Sequence, residues 1–222
     1  MKRVATVSTL VLGLAGLLAA NGAVPAFADS IALYDNTVPA NTGSLDALVI
    51  TSPNAVSDSF TLAAPSIITG ATFDAWLSDN QVPDQFTSIE WSIGTNPYDG
   101  SLGTGGAVPA TTGQGQLEFY GLYVLEFESI SIPDISLAAG TYWFTLQDGS
   151  TVSGNEAGWD VSNGPSTAFE SGIGNVNGYY LPGTDSNTFQ VLGTDTPEPS
   201  SLLLLGSGLA GLAVMIRRKL KT

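Results

Sequence analysis

The sequence predicts an all-β fold, a jelly-roll-like β-sandwich flanked by an N-terminal signal peptide and a C-terminal single transmembrane helix. Three observations predict it. Between Asp29 and Asp195, turn clusters recur at short intervals: Asn41-Thr42-Gly43, Ser78-Asp79-Asn80, Asn96-Pro97-Tyr98-Asp99-Gly100, Asp148-Gly149-Ser150 and Asn163-Gly164-Pro165. The runs between them alternate apolar and polar residues, the pattern of half-buried strands. All 6 Lys and Arg lie at the two ends of the 222-residue chain, whereas all 20 Asp and Glu lie between those ends.

Each element follows in chain order. Met1, Lys2 and Arg3 form a short positive segment, and an apolar run is densest from Leu10 to Ala20. Ala26-Phe27-Ala28 then has the small residues a signal peptidase requires, which predicts cleavage after Ala28 and makes residues 1–28 the signal peptide. The body spans residues 29–195. In Ser59 to Leu62, Phe60 and Leu62 share a face. In Ala71 to Leu77, Ala71, Phe73, Ala75 and Leu77 share one face, and Thr72, Asp74 and Trp76 share the other. Ile89, Trp91 and Ile93 face inward in Ser88 to Ile93, so Trp91 belongs to the core. Thr95 to Gln116 is glycine-rich, with Gly103, Gly105, Gly106, Gly113 and Gly115, and reads as a loop. Leu117 to Ile132 is too long for one regular strand. Its parity shifts between Phe127 and Ile130, which predicts a bulge or bend there. Tyr142, Phe144 and Leu146 oppose Thr141, Trp143 and Thr145, while Trp159 sits in a loop-like run with no assigned face. About eight to ten strands fit this body, enough for two sheets.

The tail, residues 196–222, has three parts. Thr196-Pro197-Glu198-Pro199-Ser200 is stiff and polar. Ser201 to Ile216 carries no charge, and Arg217, Arg218, Lys219, Leu220 and Lys221 follow it. As a helix, Leu202 to Ile216 would span about 22 Å, against a hydrocarbon core of about 30 Å. Snorkelling Arg217 or Lys219 and the flanking Thr196 and Ser201 would close the gap. The basic tail stays cytoplasmic in this reading, with the acidic body outside. Gly206, Ser207, Gly208 and Gly211 give that helix a small-residue face.

The residue inventory excludes much chemistry. With no Cys there are no disulfides or thiolates, and with no His the commonest general base and metal ligand are gone. From Asp29 to Asp195 there is no Lys or Arg either, so the body cannot neutralise phosphates and nucleic acid is excluded as a partner. A Ser triad lacks its base, and Gly172-x-Gly174 lacks the cation and third glycine of a phosphate cradle. The net charge of −14 also predicts lower stability at low ionic strength, where like charges repel unscreened.

Pro197-Glu198-Pro199, the Leu- and Gly-rich apolar helix and the Arg-rich end together resemble the PEP-CTERM sorting signal. Many members of that family have Val where this chain has Thr196. The resemblance covers Thr196 to Thr222. It implies recognition by exosortase, a membrane protease-transpeptidase of exopolysaccharide-making bacteria, and a helix that serves as a temporary anchor. A permanent single-span anchor is the other reading of the same helix, and hydropathy does not separate the two. Leu181-Pro182-Gly183-Thr184-Asp185 resembles the Gram-positive sortase motif L-P-x-T-G, but Asp185 stands where Gly is needed, so it reads as a turn. In the body, Leu137-Ala138-Ala139-Gly140-Thr141-Tyr142-Trp143 is similar to a segment of uncharacterised extracellular domains that precede this signal. Asp58 and Phe60 fall in an early strand those domains share.

Three devices for ligands or catalysis remain. Glu126 and Glu128 lie two apart, so an unbroken strand puts them on one face about 7 Å apart, a spacing open to a carboxylate-only glycosidase. Asp99, Asp148 and Asp185 fall in turns and are candidate calcium loops, with no EF-hand motif among them. Trp76 and Trp143 fall on the polar faces of their strands, and Tyr179 and Tyr180 adjoin a glycine-rich turn. These four are the candidate carbohydrate-binding residues, since sugar rings stack their C–H faces on aromatic rings. The expectation is an exported, non-enzymatic surface or exopolysaccharide-matrix protein. Its partners are signal peptidase and exosortase, and it meets the membrane at least transiently. The alternative is a carbohydrate-binding module that retains exopolysaccharide.

Overall fold

The computed structural model of the chain describes residues 30–37, 47–78, 84–119, 122–171, 179–180 and 186–196, with backbone alone at 114–119 and 179–180, and the helical residues 206–209, 211–212 and 216–217. The expected signal peptide, residues 1–28, and Pro197, Glu198, Pro199, Arg218, Lys219, Lys221 and Asp185 lie outside the described residues. Among the described residues fourteen strands form: β1 (Ile31–Asn36), β2 (Ala47–Val49), β3 (Ala55–Leu62), β4 (Ser66–Ser78), β5 (Phe86–Gly94), β6 (Gly103–Ala107), β7 (Ala110–Phe119), β8 (Tyr123–Leu137), β9 (Gly140–Thr151), β10 (Gly158–Ser162), β11 (Ala168–Ser171), β12 (Tyr179–Tyr180), β13 (Ser186–Asn187) and β14 (Phe189–Asp195).

They build two antiparallel sheets packed face to face, the predicted sandwich. The smaller sheet runs β12-β11-β3-β9-β5-β6. In the larger, β4 is central. It pairs with β8 along one side, with β14 and then β10 along the other, and β8 carries β7 at the edge. The alternation read from the sequence holds on both inner faces. Phe60 and Leu62, Ala71, Phe73, Ala75 and Leu77, Ile89, Trp91 and Ile93, and Phe144 and Leu146 are all buried. Trp159, left without a face by the sequence, is fully buried on β10 and is the hub of the core. Its ring lies 5.5 Å from Phe189, 5.8 Å from Phe144 and 6.4 Å from Phe73, each edge to face. Its indole N–H donates to the Thr188 carbonyl at 2.9 Å. That bond satisfies the one polar atom such a buried ring carries.

Two expectations are corrected. The glycine-rich stretch 95–116 is not one loop, because Gly103–Ala107 and Ala110 onward are edge strands. Here the glycines fit a neighbour: a Cβ on Gly105 would sit 2.9 Å from the Trp91 ring across the ladder. The bare backbone of β6 therefore lets a core indole lie against it. The parity of β8 does not shift at Phe127 either. Glu126, Glu128 and Ile130 pair with Ala75, Phe73 and Ala71 and share their inner face, while Phe127 points outward. The irregularity lies further on, between Ser131 and Ile135, and it aligns with register shifts at Ile68/Gly70 on β4, Leu192/Gly193 on β14 and Ala32/Tyr34 on β1. Bulges aligned across four strands bend the larger sheet.

Among the described residues, no helix is long and apolar enough to cross a membrane. The described helical residues 206–209, 211–212 and 216 fall within the expected span 202–216, and Arg217 continues it.

Candidate functional site

The chain leaves the sandwich at a pinned point. β14 ends at Asp195, whose carboxylate accepts from the Ser66 hydroxyl at 3.0 Å. The Thr196 amide and hydroxyl both donate to the Pro65 carbonyl, at 2.9 and 2.8 Å. The tail therefore begins where the last strand is tied down.

A polar staple joins the two sheets at the other end of β14. Asp58 alternates with Val56, Phe60 and Leu62 and so faces inward, where it is fully buried. One carboxylate oxygen accepts from the Ser59 amide at 2.6 Å. The other accepts from the Asn187 amide at 2.6 Å and the Ser186 hydroxyl at 3.2 Å, across the sandwich. Burial raises its pKa to about 6 against the lowering effect of these bonds. Asn36 of β1 completes the staple, donating to the Asn187 carbonyl at 2.7 Å and contacting the Ser186 hydroxyl. Sequence reasoning missed this group, although its signal was present: an Asp at the parity of Phe60 and Leu62.

Two further carboxyl pairs lie in the larger sheet, one on each face. Glu126 and Glu128 are each about 1% exposed, and the Thr111 hydroxyl bridges them, 3.4 Å from Glu126 Oε2 and 3.0 Å from Glu128 Oε1. Burial first, and Glu126 beside it, push Glu128 up to about 7, while the Thr111 bond opposes them. The pair shares one face, as the spacing predicts, and that face is turned toward the opposing sheet. On the outer face, burial and neighbouring Asp160 push Asp74 up to about 7. Asp160 accepts from the Trp76 indole at 2.6 Å and the Thr188 hydroxyl at 3.0 Å.

That last contact corrects the reading of Trp76 as a sugar platform. Its ring is 4% exposed and its N–H is committed to Asp160. Trp143 is different. It stands half-buried on the outer face of the smaller sheet, 5.1 Å from Phe169 and edge to face with it. Phe169 pairs with Ser57 and, on its other side, with Tyr180, and Tyr179 pairs with Glu170. Three of the four aromatic candidates thus belong to one sheet, and Trp76 belongs to the other. Beside Trp143 the loop 95–102 folds over the same outer face. The Tyr98 amide reaches the Ser57 hydroxyl at 3.4 Å, and a Cβ on Gly94 would meet the Asp99 carbonyl oxygen at 2.1 Å. Only glycine allows so close a return.

The calcium candidates do not converge. Asp99 spends its carboxylate on its own loop, accepting from the Ser101 hydroxyl and amide at 2.7 and 2.9 Å and from the Thr95 amide at 3.2 Å, and these bonds hold its pKa low. Asp148 lies near the other end of the β5–β9 ladder. Among the described residues no three His, Cys, Asp or Glu are grouped to hold a metal. An open groove of about 550 Å³ at the sheet bend, lined by Ser30, Thr69, Val108, Ser129, Ser131 and Leu192 among others, has no titratable side chain in its wall.

The fold thus defines the body as a two-sheet antiparallel β-sandwich, and the tail carries the address. Residues 195–219 match the PEP-CTERM protein-sorting motif, which marks an exported protein processed by exosortase. The match begins at the residue where β14 ends. No characterised protein matches this chain.

Proposed function

We propose that this is a non-enzymatic cell-surface or exopolysaccharide-matrix protein whose sandwich is the cargo of its sorting signal. In this reading signal peptidase cuts after Ala28. The apolar helix then holds the chain in the inner membrane, basic tail inward, until exosortase acts near Pro197-Glu198-Pro199. The observation that carries the reading is the abutment of a complete sandwich and a sorting motif at residue 195. The absence of catalysis is supported by a body with no His, Cys, Lys or Arg. It is also supported by a glutamate pair that faces the opposing sheet.

Mass spectrometry of the mature C-terminus, on protein from the envelope and the medium, tests this. Loss of everything after the Pro-Glu-Pro region is expected. An intact Thr222 would make the protein a permanent single-span anchor and overturn the processing step.

A second reading, carbohydrate retention, is favoured by one feature, the half-buried Trp143 beside Phe169 on the outer face of the smaller sheet. Trp143→Ala is then expected to abolish retention of exopolysaccharide with the fold intact, and unchanged retention would remove Trp143 as a platform.

A further inference from the structure

An acidic body without a single base repels its own copies. The repulsion is not even over the surface. Residues 100–117 are the longest charge-free stretch between Asp29 and Asp195. The fold puts this stretch at one side of the sandwich. Among the described residues β6 ends the smaller sheet and β7 pairs with β8 alone. Val108 and Pro109 join the two strands, so the open edges of both sheets adjoin.

Edge strands are commonly guarded by a charge, a proline or a bulge. β6 reads Gly-Thr-Gly-Gly-Ala and has none of these. Val108 beside it is 68% exposed, and Leu102 before it 36%. On the opposite side of the larger sheet the edge strand β1 carries Asp35, and in the smaller sheet Glu170 stands on β11, one strand in from terminal β12.

We propose that two copies of this protein join edge to edge along β6, the place where like-charged bodies approach at least electrostatic cost; the neighbouring Ala110–Gly113 half of β7, which follows Pro109 and has a register shift at Thr111/Gly113, stays outside the ladder. Backbone N–H and C=O groups of the facing edges supply the bonds, as in strand addition. The nearest acids, Glu90 opposite Gly106 and Glu128 opposite Thr111, stand one strand in from the edges and not on them, so salt screens the residual repulsion and strengthens association. A contact made by ion pairs would weaken instead.

The chain has no cysteine, so single introduced cysteines report the contact cleanly. The full chain, expressed in a host that exports it, would carry Thr104→Cys, Gly106→Cys or Val108→Cys and be oxidised with copper phenanthroline. At least one variant is expected to give a species of twice the monomer mass. Its share should rise from about 20 to about 300 mM salt. Thr61→Cys, on the outer face of β3, is expected to stay monomeric. Adding Thr104→Asp to Val108→Cys should cut the dimer by about tenfold, because like charges then face each other. Three monomeric edge variants, or equal cross-linking at Thr61→Cys, would overturn the proposal. Failure of exosortase processing would leave it standing, since the contact belongs to the sandwich and not to the tail.

Discussion

Asp58 and Glu128 are both buried carboxyls with raised pKa values, about 6 and about 7, but their partners differ. Backbone amides occupy both oxygens of Asp58, from Ser59 on one and Asn187 on the other. An asparagine there must turn its NH2 toward an amide N–H and leave that donor unpaired. Asp58→Asn is therefore expected to lower stability by about 1–3 kcal/mol. One oxygen of Glu128 has no partner among the described residues, and Glu126 beside it disfavours its charge. Glu128→Gln places a donor next to Glu126 and should stabilise by about 1 kcal/mol above pH 7. Urea unfolding of both variants at pH 8 checks the opposite signs. A destabilised Glu128→Gln would mean that the pair is held ionised by other donors.

Among the elements, β6 was least expected, because a glycine-rich run carries no side-chain alternation to read. It forms a strand since Trp91 needs a flat surface opposite it and β5 offers a free ladder. Gly105 and Gly106 separate the two roles. A Cβ on Gly105 strikes the Trp91 ring, whereas one on Gly106 has nothing nearer than 3.9 Å. Gly105→Val should cost about 1–3 kcal/mol by displacing the ring. Gly106→Val should leave stability within about 0.5 kcal/mol. Equal losses in denaturant midpoint would show that β6 is sensitive to side chains as such. Strand β8 was legible in its existence but not in its facing. The apolar parity shifts between Phe127 and Ile130, which predicts a bulge that the strand does not have there. The larger sheet instead buries two glutamates and exposes Phe127 at 37%. The Thr111 hydroxyl that makes this tolerable comes from a strand the sequence disguises as loop.

For the whole molecule, the raised carboxyls add up to a pH dependence. Asp58, Asp74 and Glu128 sit at about 6, 7 and 7 when folded, against 3.8, 3.8 and 4.5 ordinarily. The folded state binds these protons more tightly than the unfolded chain. Its extra stability is thus complete below pH about 4 and is lost as pH rises through 6 to 7. Melting followed by circular dichroism at constant ionic strength should show Tm falling by roughly 5–10 °C from pH 5 to pH 8. The double variant Asp74→Asn, Glu128→Gln should flatten that slope. A Tm that rises toward pH 8 would contradict the burial of these groups.

By itself, the sequence determined the segregation of charge, the C-terminal sorting address and the inward faces of most strands. Those depend on residue order alone: a period of two along a strand, an apolar run beside basic residues, and the Pro-Glu-Pro punctuation matched by the sorting motif at residues 195–219. The tertiary structure decided which polar residues are buried and with whom. Trp76 meets Asp160 from a strand 84 positions away, and Asp58 meets Asn187 across 129. No local pattern encodes such distances, because they arise only when β4, β10, β3 and β13 are brought together in the sandwich. The same closure turns an uncharged, glycine-rich run into the open edge of two sheets.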